Sequence, residues 1–230
     1  MHPSAMVLGE AFFKLYAAPD VRRILDVGAR DVNGSLRSFC PVGSAYVGVD
    51  LEAGAGVDTV LTDPYAFPFP DNHFDLVVST SCFEHNQFFW LGFLEQMRVT
   101  RPGGFVYINA PSNGAYHGYP FDNWRFYPDA ALALQAWALR SGVYAVAIES
   151  FIAPQLDSIW SDCVMIFQKS SEPKPPQPLL HEGFPGAYNI RRFDCEHVMN
   201  FTPLHEDAKL VNELKWRLAL QGMDLPVDGT

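Results

Sequence analysis

The stretch Arg23-Ile-Leu-Asp-Val-Gly28 decides the fold class. A mostly apolar run closed by glycine reads as a short buried strand ending in a tight turn. Outward from it, Ala45-Tyr-Val-Gly-Val-Asp50 repeats the pattern and ends in an acid. Val57-Asp-Thr-Val-Leu-Thr62 is a shorter candidate strand, while Phe74-Asp-Leu-Val-Val-Ser79 and Phe105-Val-Tyr-Ile-Asn109 are strong ones. Helical spacing lies around and between them: Ala5 to Ala18, Phe88 to Val99 stopped by Arg101-Pro-Gly-Gly104, and Asp129 to Arg140. Asp129 stands where a cap is expected, and Ser141-Gly142 ends that helix. Val143 to Phe151 and Trp160 to Gln168 supply two last strands with no helix-length segment between them, so this pair is expected to be antiparallel. Strands alternating with helices predict an α/β fold: a doubly wound, mostly parallel sheet covered on both faces.

The chain has 230 residues, 48% of them apolar and 18% charged, which suits one large domain with a sizeable core and excludes general disorder. A net charge of −10 argues against a broad nucleic-acid surface, because such a field repels phosphates. The segment from Met1, with His2, Glu10 and Lys14, lacks the plan of a signal peptide, and no apolar run is long enough to span a membrane. Cys40, Cys82, Cys163 and Cys195 form no CxxC pair, so no zinc knuckle or other metal site is expected from spacing. They read as reduced thiols of a cytoplasmic protein. Ser170-Ser-Glu-Pro-Lys-Pro-Pro-Gln-Pro178 is a proline-rich linker that divides residues 1–169 from a C-terminal extension, 179–230. Within the extension, Asn200 to Gly222 carries Leu204, Leu210, Val211, Leu214, Trp216, Leu218 and Leu220 at amphipathic spacing. That helix is expected to pack on the domain or to meet a second subunit.

Ligands of such sheets bind beyond the carboxyl ends of the strands. Asp26, Gly28, Arg30, Asp31, Asn33 and Gly34 follow or close the first strand, and a helix N-terminus with unpaired amides is expected after them. Asp50, 22 positions beyond Gly28, suits a ribose diol; it also suits a loop carboxylate in water. Arg30 and Asn33 stand where a dinucleotide fingerprint needs glycine, so a nucleoside without phosphates fits better than a dinucleotide.

From about Arg22 to Lys169 the chain resembles the class I methyltransferases that use S-adenosylmethionine, and within them the type 11 small-molecule group. The resemblance is carried by Ile24-Leu-Asp-Val-Gly28, Val47-Gly-Val-Asp50, Thr62-Asp-Pro-Tyr-Ala-Phe-Pro-Phe-Pro-Asp71 with Phe74-Asp-Leu-Val-Val78, Glu84-His85, and Val99-Thr-Arg-Pro-Gly-Gly-Phe105. It implies a Rossmann-like seven-stranded sheet whose last pair is antiparallel. It implies S-adenosylmethionine as cofactor, with Asp26 and Gly28 beside its methionine part, Asp50 and its neighbour Leu51 at the ribose, Asp63 at the adenine amino group, and Ser79 under the cofactor. The glycine loop departs from the family pattern at Asp26-Val-Gly28-Ala-Arg30-Asp31, and Arg30 either pairs with the cofactor carboxylate or points to solvent.

A sulfonium donor needs an aligned acceptor, and a hydroxyl acceptor gains from a general base. His85 and His117 are the candidates, each with a structural hydrogen bond as its alternative role. His117 lies in the aromatic and polar loop Pro111 to Pro128, where Tyr116, Asp122, Trp124 and Arg125 are candidates for holding the acceptor, unless the loop is only a lid over the sheet edge. The expected activity is methyl transfer to a small polar metabolite such as a sugar or glycosyl acceptor. A non-catalytic binding subunit of the same fold is the alternative. A nicotinamide oxidoreductase is disfavoured by the missing glycines.

Overall fold

A computed structural model describes residues 3–156, 159–203 and 206–221, so Leu204 and Gly222 of the expected C-terminal helix lie outside the described residues. The chain opens with helix α1 (Pro3–Tyr16), then strand β1 (Arg23–Val27), a four-residue 3-10 turn (Leu36–Phe39), β2 (Ala45–Asp50), β3 (Thr59–Val60) and β4 (Phe74–Thr80). Helix α2 (Phe89–Val99) leads into β5 (Thr100–Pro111), followed by α3 (Asp129–Arg140), β6 (Val146–Ile152) and β7 (Asp162–Gln168). A second 3-10 turn (Leu180–Gly183), β8 (Tyr188–Arg192), β9 (Cys195–Met199) and α4 (Glu206–Leu220) complete it.

The nine strands among the described residues form one sheet, ordered β3-β2-β1-β4-β5-β7-β6-β8-β9. The first five run parallel, and β7 inserts antiparallel between β5 and β6, as the short connection requires. The expected seven strands are present, and the count is corrected to nine because Tyr188–Arg192 pairs antiparallel with the outer edge of β6 and Cys195–Met199 pairs with it in turn.

Side chains on successive strand residues fall on alternate faces, and here both faces are buried. Leu25, Val77, Val106, Ile108, Met165 and Phe167 pack with Phe93, Met97 and Leu134 of α2 and α3. Ile24, Leu76, Val78, Tyr107, Val164 and Ile166 pack on the other side with Leu8, Phe12 and Tyr16 of α1. Leu179, Leu180, Ala187 and Ile190 join this second cluster, so the chain after the proline-rich segment covers the same sheet.

One helix start differs from expectation. Pro128 is the residue before α3, with no side-chain cap, and Asp129 lies in the first turn, where its carboxylate accepts from Arg191 Nε of β8 at 2.7 Å. A carboxylate in the first helical turn still meets the positive end of the helix dipole.

A buried acid ties the extension to the sheet. Glu149 of β6, 1% exposed, accepts from Tyr16 Oη (2.6 Å), Leu180 N (2.8 Å), His181 N (3.0 Å) and His181 Nδ1 (2.7 Å). Three segments far apart in sequence thus converge on one carboxylate whose lone pairs are saturated. Tyr16→Phe removes one of these bonds without opening a cavity. It is expected to lower the unfolding free energy by about 1.5–3 kcal/mol, with the urea m-value unchanged. An unchanged denaturation midpoint would count against the role given to this carboxylate.

Candidate active site

The order of the parallel strands reverses between β1 and β4, and the carboxyl ends of both meet there. Val27 is in register with Ser79, whose buried hydroxyl donates to the Val27 carbonyl at 3.0 Å. Gly28 then turns with φ +83°, and a Cβ at this position would fall 2.7 Å from Cys82 Cβ and 2.8 Å from its Sγ. Only glycine takes this turn without strain or clash, which is why the loops after β1 and β4 lie against each other.

The loop after Gly28 corrects the expected helix N-terminus. Asp31, Asn33, Gly34 and Ser35 favour turns, and Pro41 and Gly43 leave room only for the 3-10 turn. Its amides are not free: Gly28 N and Ala29 N donate to Val49 O at 2.9 and 3.0 Å, and Asp31 N donates to Ala55 O at 2.8 Å. Arg30 N donates to Asp50 Oδ2 at 3.2 Å, and Glu52 N donates to Asp50 Oδ1 at 3.2 Å, so the Asp50 carboxylate is fixed at the end of β2. Leu51 beside it is 54% exposed. The Arg30 guanidinium pairs with Glu52 and lies 5.9 Å from the centroid of the Tyr119 ring.

Asp26 is buried on β1, where Tyr46 Oη donates to its Oδ2 at 2.7 Å. Burial pushes its carboxyl up to about 6 despite that hydrogen bond. Asp63 is exposed, and its Oδ1 accepts from Tyr65 N at 2.8 Å. Gly28, Arg30, Asp50 and Ser79 thus gather at the switch point, with Asp63 following β3 farther along the edge. A cleft of about 670 Å³ is lined by Met6, Asp31, Arg37 and Asp58 among others, and touches this group only at the Asp31 end of the loop.

The loop after β5 folds across the end of β4. Asn123 N and Trp124 N both donate to the Glu84 carbonyl, at 2.7 and 3.2 Å, and Trp124 Nε1 donates to Asn86 O at 2.9 Å. Tyr116, Asp122, Trp124 and Arg125 line one cavity of about 310 Å³, so the structure brings together all four residues expected to hold an acceptor. Asp122 and Arg125 are joined by two hydrogen bonds, of 2.5 and 2.8 Å, and Asp122 also accepts from His117 N at 2.8 Å. The Asp122 side chain is 2% exposed, and the hydrogen bonds from Arg125 hold its carboxyl well below the usual carboxylate range. This pair is internal to the loop and is not a solvated surface pair.

His85 and His117 meet with ring centroids 5.1 Å apart, and Trp160 packs 4.9 Å from the His117 ring. Burial lowers the His85 pKa. Beneath them lies Glu84, a residue whose side chain sequence reasoning assigned no role. It is fully buried and neither carboxylate oxygen has a hydrogen-bond partner, and burial pushes its carboxyl up to about 8. The signal available in the sequence was the Glu84-His85 pair itself; what it meets is 33 residues away at His117, which only the folded loop reveals.

Residues 25–108 match a family model described as a methyltransferase domain. The chain is 29% identical over 118 residues to an uncharacterized methyltransferase of Mycobacterium tuberculosis, covering 46% of each chain. It is 33% identical over 104 residues to a fatty-acid O-methyltransferase of Mycolicibacterium smegmatis, covering 39% of this chain and 37% of that one. The match therefore spans less than half the length of these curated relatives. Among solved structures, the 1,6-didemethyltoxoflavin-N1-methyltransferase of Burkholderia thailandensis, holding its substrate and S-adenosylhomocysteine, aligns with TM-score 0.55 at 18% identity over 73% of this chain and 79% of that one. The cyclase SpnF aligns with TM-score 0.53 at 14% identity over 73% and 82%. These two likenesses establish a shared fold.

The raised Asp26 carboxyl has a consequence for stability. The unfolded chain releases this proton near pH 3.9, while the folded protein holds it up to about 6. The stability contributed by this group is therefore fully present below the unfolded pKa and is lost as pH rises through about 6. Asp26→Asn should flatten the fall in unfolding free energy between pH 4 and 7, measured by urea denaturation of both proteins across that range. Parallel pH profiles for the two would contradict the assignment.

Proposed function

We propose that this chain, whose residues 25–108 match the methyltransferase domain family model, binds S-adenosylmethionine along the carboxyl edge of β1, β2 and β4 and passes its methyl group to a small polar acceptor under the loop from Pro111 to Pro128. The observation that carries this reading is the positive-φ turn at Gly28, packed on Cys82, beside an Asp50 carboxylate held by two backbone amides. Each Asp50 oxygen spends one lone pair on an amide and retains another for a ribose hydroxyl. Asp63 has one oxygen in its own turn, leaving the other for the adenine amino group. We assign Asp26 and Gly28 to the methionine end of the donor. Arg30, paired with Glu52 and lying over Tyr119, stands between the donor edge and the acceptor loop.

The bound donor supplies an electrophilic methyl on a sulfonium sulfur; the protein aligns the acceptor behind it, excludes water and receives the acceptor's proton. His85 Nδ1 is spent on the Phe121 carbonyl and His117 Nδ1 on Ala115 O, so each imidazole presents Nε2 for that proton. Burial lowers the His85 pKa, which favours the neutral imidazole, the form able to accept a proton.

The Mycolicibacterium smegmatis relative is named for fatty acids. Here the cavity lined by Tyr116, Asp122, Trp124 and Arg125 is only about 310 Å³ and combines aromatic faces with polar tips. That supports a compact acceptor, a sugar or glycosyl ring, over a long acyl chain. The net charge of −10 supports a small-molecule partner over nucleic acid. No helix among the described residues is long and apolar enough to cross a membrane.

Calorimetry with S-adenosylhomocysteine tests the donor site. Asp50→Ala should weaken binding by about 1.5–3 kcal/mol, roughly 10- to 150-fold. An intact fold with unchanged affinity would remove Asp50 from the site. His117→Ala is expected to leave that affinity unchanged while lowering turnover by about 10²–10⁴, scored on a panel of monosaccharide, phenol and fatty-acid acceptors. Turnover on fatty acids alone would overturn the acceptor class, and failure to bind either donor or product would overturn the whole reading.

A further inference from the structure

Glu84, His85 and His117 are brought together from two loops, with one ligand-capable atom from each lying within 4.8 Å of the others. Glu84 Oε1 is 3.6 Å from His85 Nε2, near the roughly 3.4 Å that separates two ligands on one tetrahedral zinc ion. Two further observations point to a cation, and a third removes an objection to it. The Glu84 side chain is fully buried, and both its oxygens lack a hydrogen-bond partner, an arrangement that costs free energy unless the carboxyl takes up a proton or a cation fills the gap. Both imidazoles have Nδ1 on a backbone carbonyl, His85 on Phe121 O and His117 on Ala115 O. A carbonyl only accepts, so Nδ1 carries the proton and Nε2 keeps its lone pair, which is the outer-shell bonding that orients a metal-binding histidine. The nearby positive charge of Arg125 is matched by its two hydrogen bonds to Asp122, so it does not repel a cation unopposed.

We propose that Glu84, His85 and His117 form a binding site for a divalent transition-metal ion, with Nε2, Nε2 and a carboxylate oxygen as ligands. Two imidazoles and one carboxylate form a borderline donor set that suits zinc, cobalt or iron(II) and leaves positions open. An acceptor hydroxyl taken into an open position would meet a cation that lowers its pKa, so that its proton could leave to water before the alkoxide takes the methyl group. The ligand role uses the same lone pairs as the proton-accepting role, so the two are alternatives that experiment separates. The inference stands on the loop geometry and does not require the donor site to be as proposed.

The whole chain, stripped with chelator and dialysed, is titrated with Co²⁺ under visible spectroscopy and with Zn²⁺ in a calorimeter. One ion per chain and visible d–d absorption are expected. Glu84→Gln keeps the shape of the buried side chain, and His117→Ala alters a partly exposed loop residue; each should weaken binding by at least about 100-fold. His197→Ala, on the exposed face of β9, should leave it unchanged. S-adenosylhomocysteine binding and circular dichroism on the same samples report fold and donor site separately. If Glu84→Gln does not fold, His117→Ala alone decides. No binding by the folded wild type, or binding by Glu84→Gln and His117→Ala as tight as the wild type's, overturns the site; loss of nucleoside binding with metal binding intact overturns only the donor assignment.

Discussion

Burial of the parallel strands on both faces is the constraint from which the rest follows. With Leu25 and Val77 facing one helix layer and Ile24 and Leu76 the other, β1 and β4 have no polar face left. Polar side chains that belong to these strands must appear at their ends or be satisfied inside. Ser79 does the second, donating to Val27 O across the switch point. On the neighbouring β2, Asp50 stands at the strand end, held by two amides. The chemistry gathers at the carboxyl edge because the core leaves it nowhere else.

The second organising feature is a backbone carbonyl. Glu84 O receives two amide hydrogens from Asn123 and Trp124, and this fixes a long irregular loop against the end of β4. A loop of that length would otherwise sample many conformations, at a cost in entropy of ~1–2 kcal/mol for each residue ordered. The internal Asp122–Arg125 pair and the packing of Trp124 on Phe89, at 5.3 Å between ring centroids, hold it further. One consequence is chemical: the same residue whose carbonyl anchors the loop carries the buried carboxylate beneath His85 and His117.

Much of this was legible in the sequence, for reasons that can be named. Strand periods at Arg23–Val27, Ala45–Asp50 and Phe74–Thr80 are short apolar runs closed by glycine, an acid or a hydroxyl, and the lack of a helix before the last pair dictated its antiparallel direction. Two things were not legible. The segment from Asp31 to Pro41 is punctuated by turn-forming residues, and expecting a helix after the glycine loop overrode that local chemistry. The pairing of Tyr188–Arg192 with β6 depends on a contact with residues some forty positions earlier, which no local period encodes. His117 against Glu84 is a case of the same kind: each loop was recognisable, their meeting was not.

The extension shows how a long-range contact can settle what composition leaves open. Four prolines over residues 173–178 mark a stretch that joins no strand or helix, and such stretches commonly separate domains. Here the chain beyond them returns to the sheet it left. Leu179 and Leu180 are fully buried under α1, and the amides of Leu180 and His181 complete the bonding of Glu149. A carboxylate sealed from water needs such partners, because an unpaired charge there would cost several kcal/mol. Removing the extension would therefore do more than expose an edge strand: it would strip three of the four hydrogen bonds from Glu149 and leave Tyr16 as its remaining donor. The proline-rich stretch is thus a strap between two parts of one hydrogen-bonded sheet, and β8 covers the edge that β6 would otherwise leave unpaired.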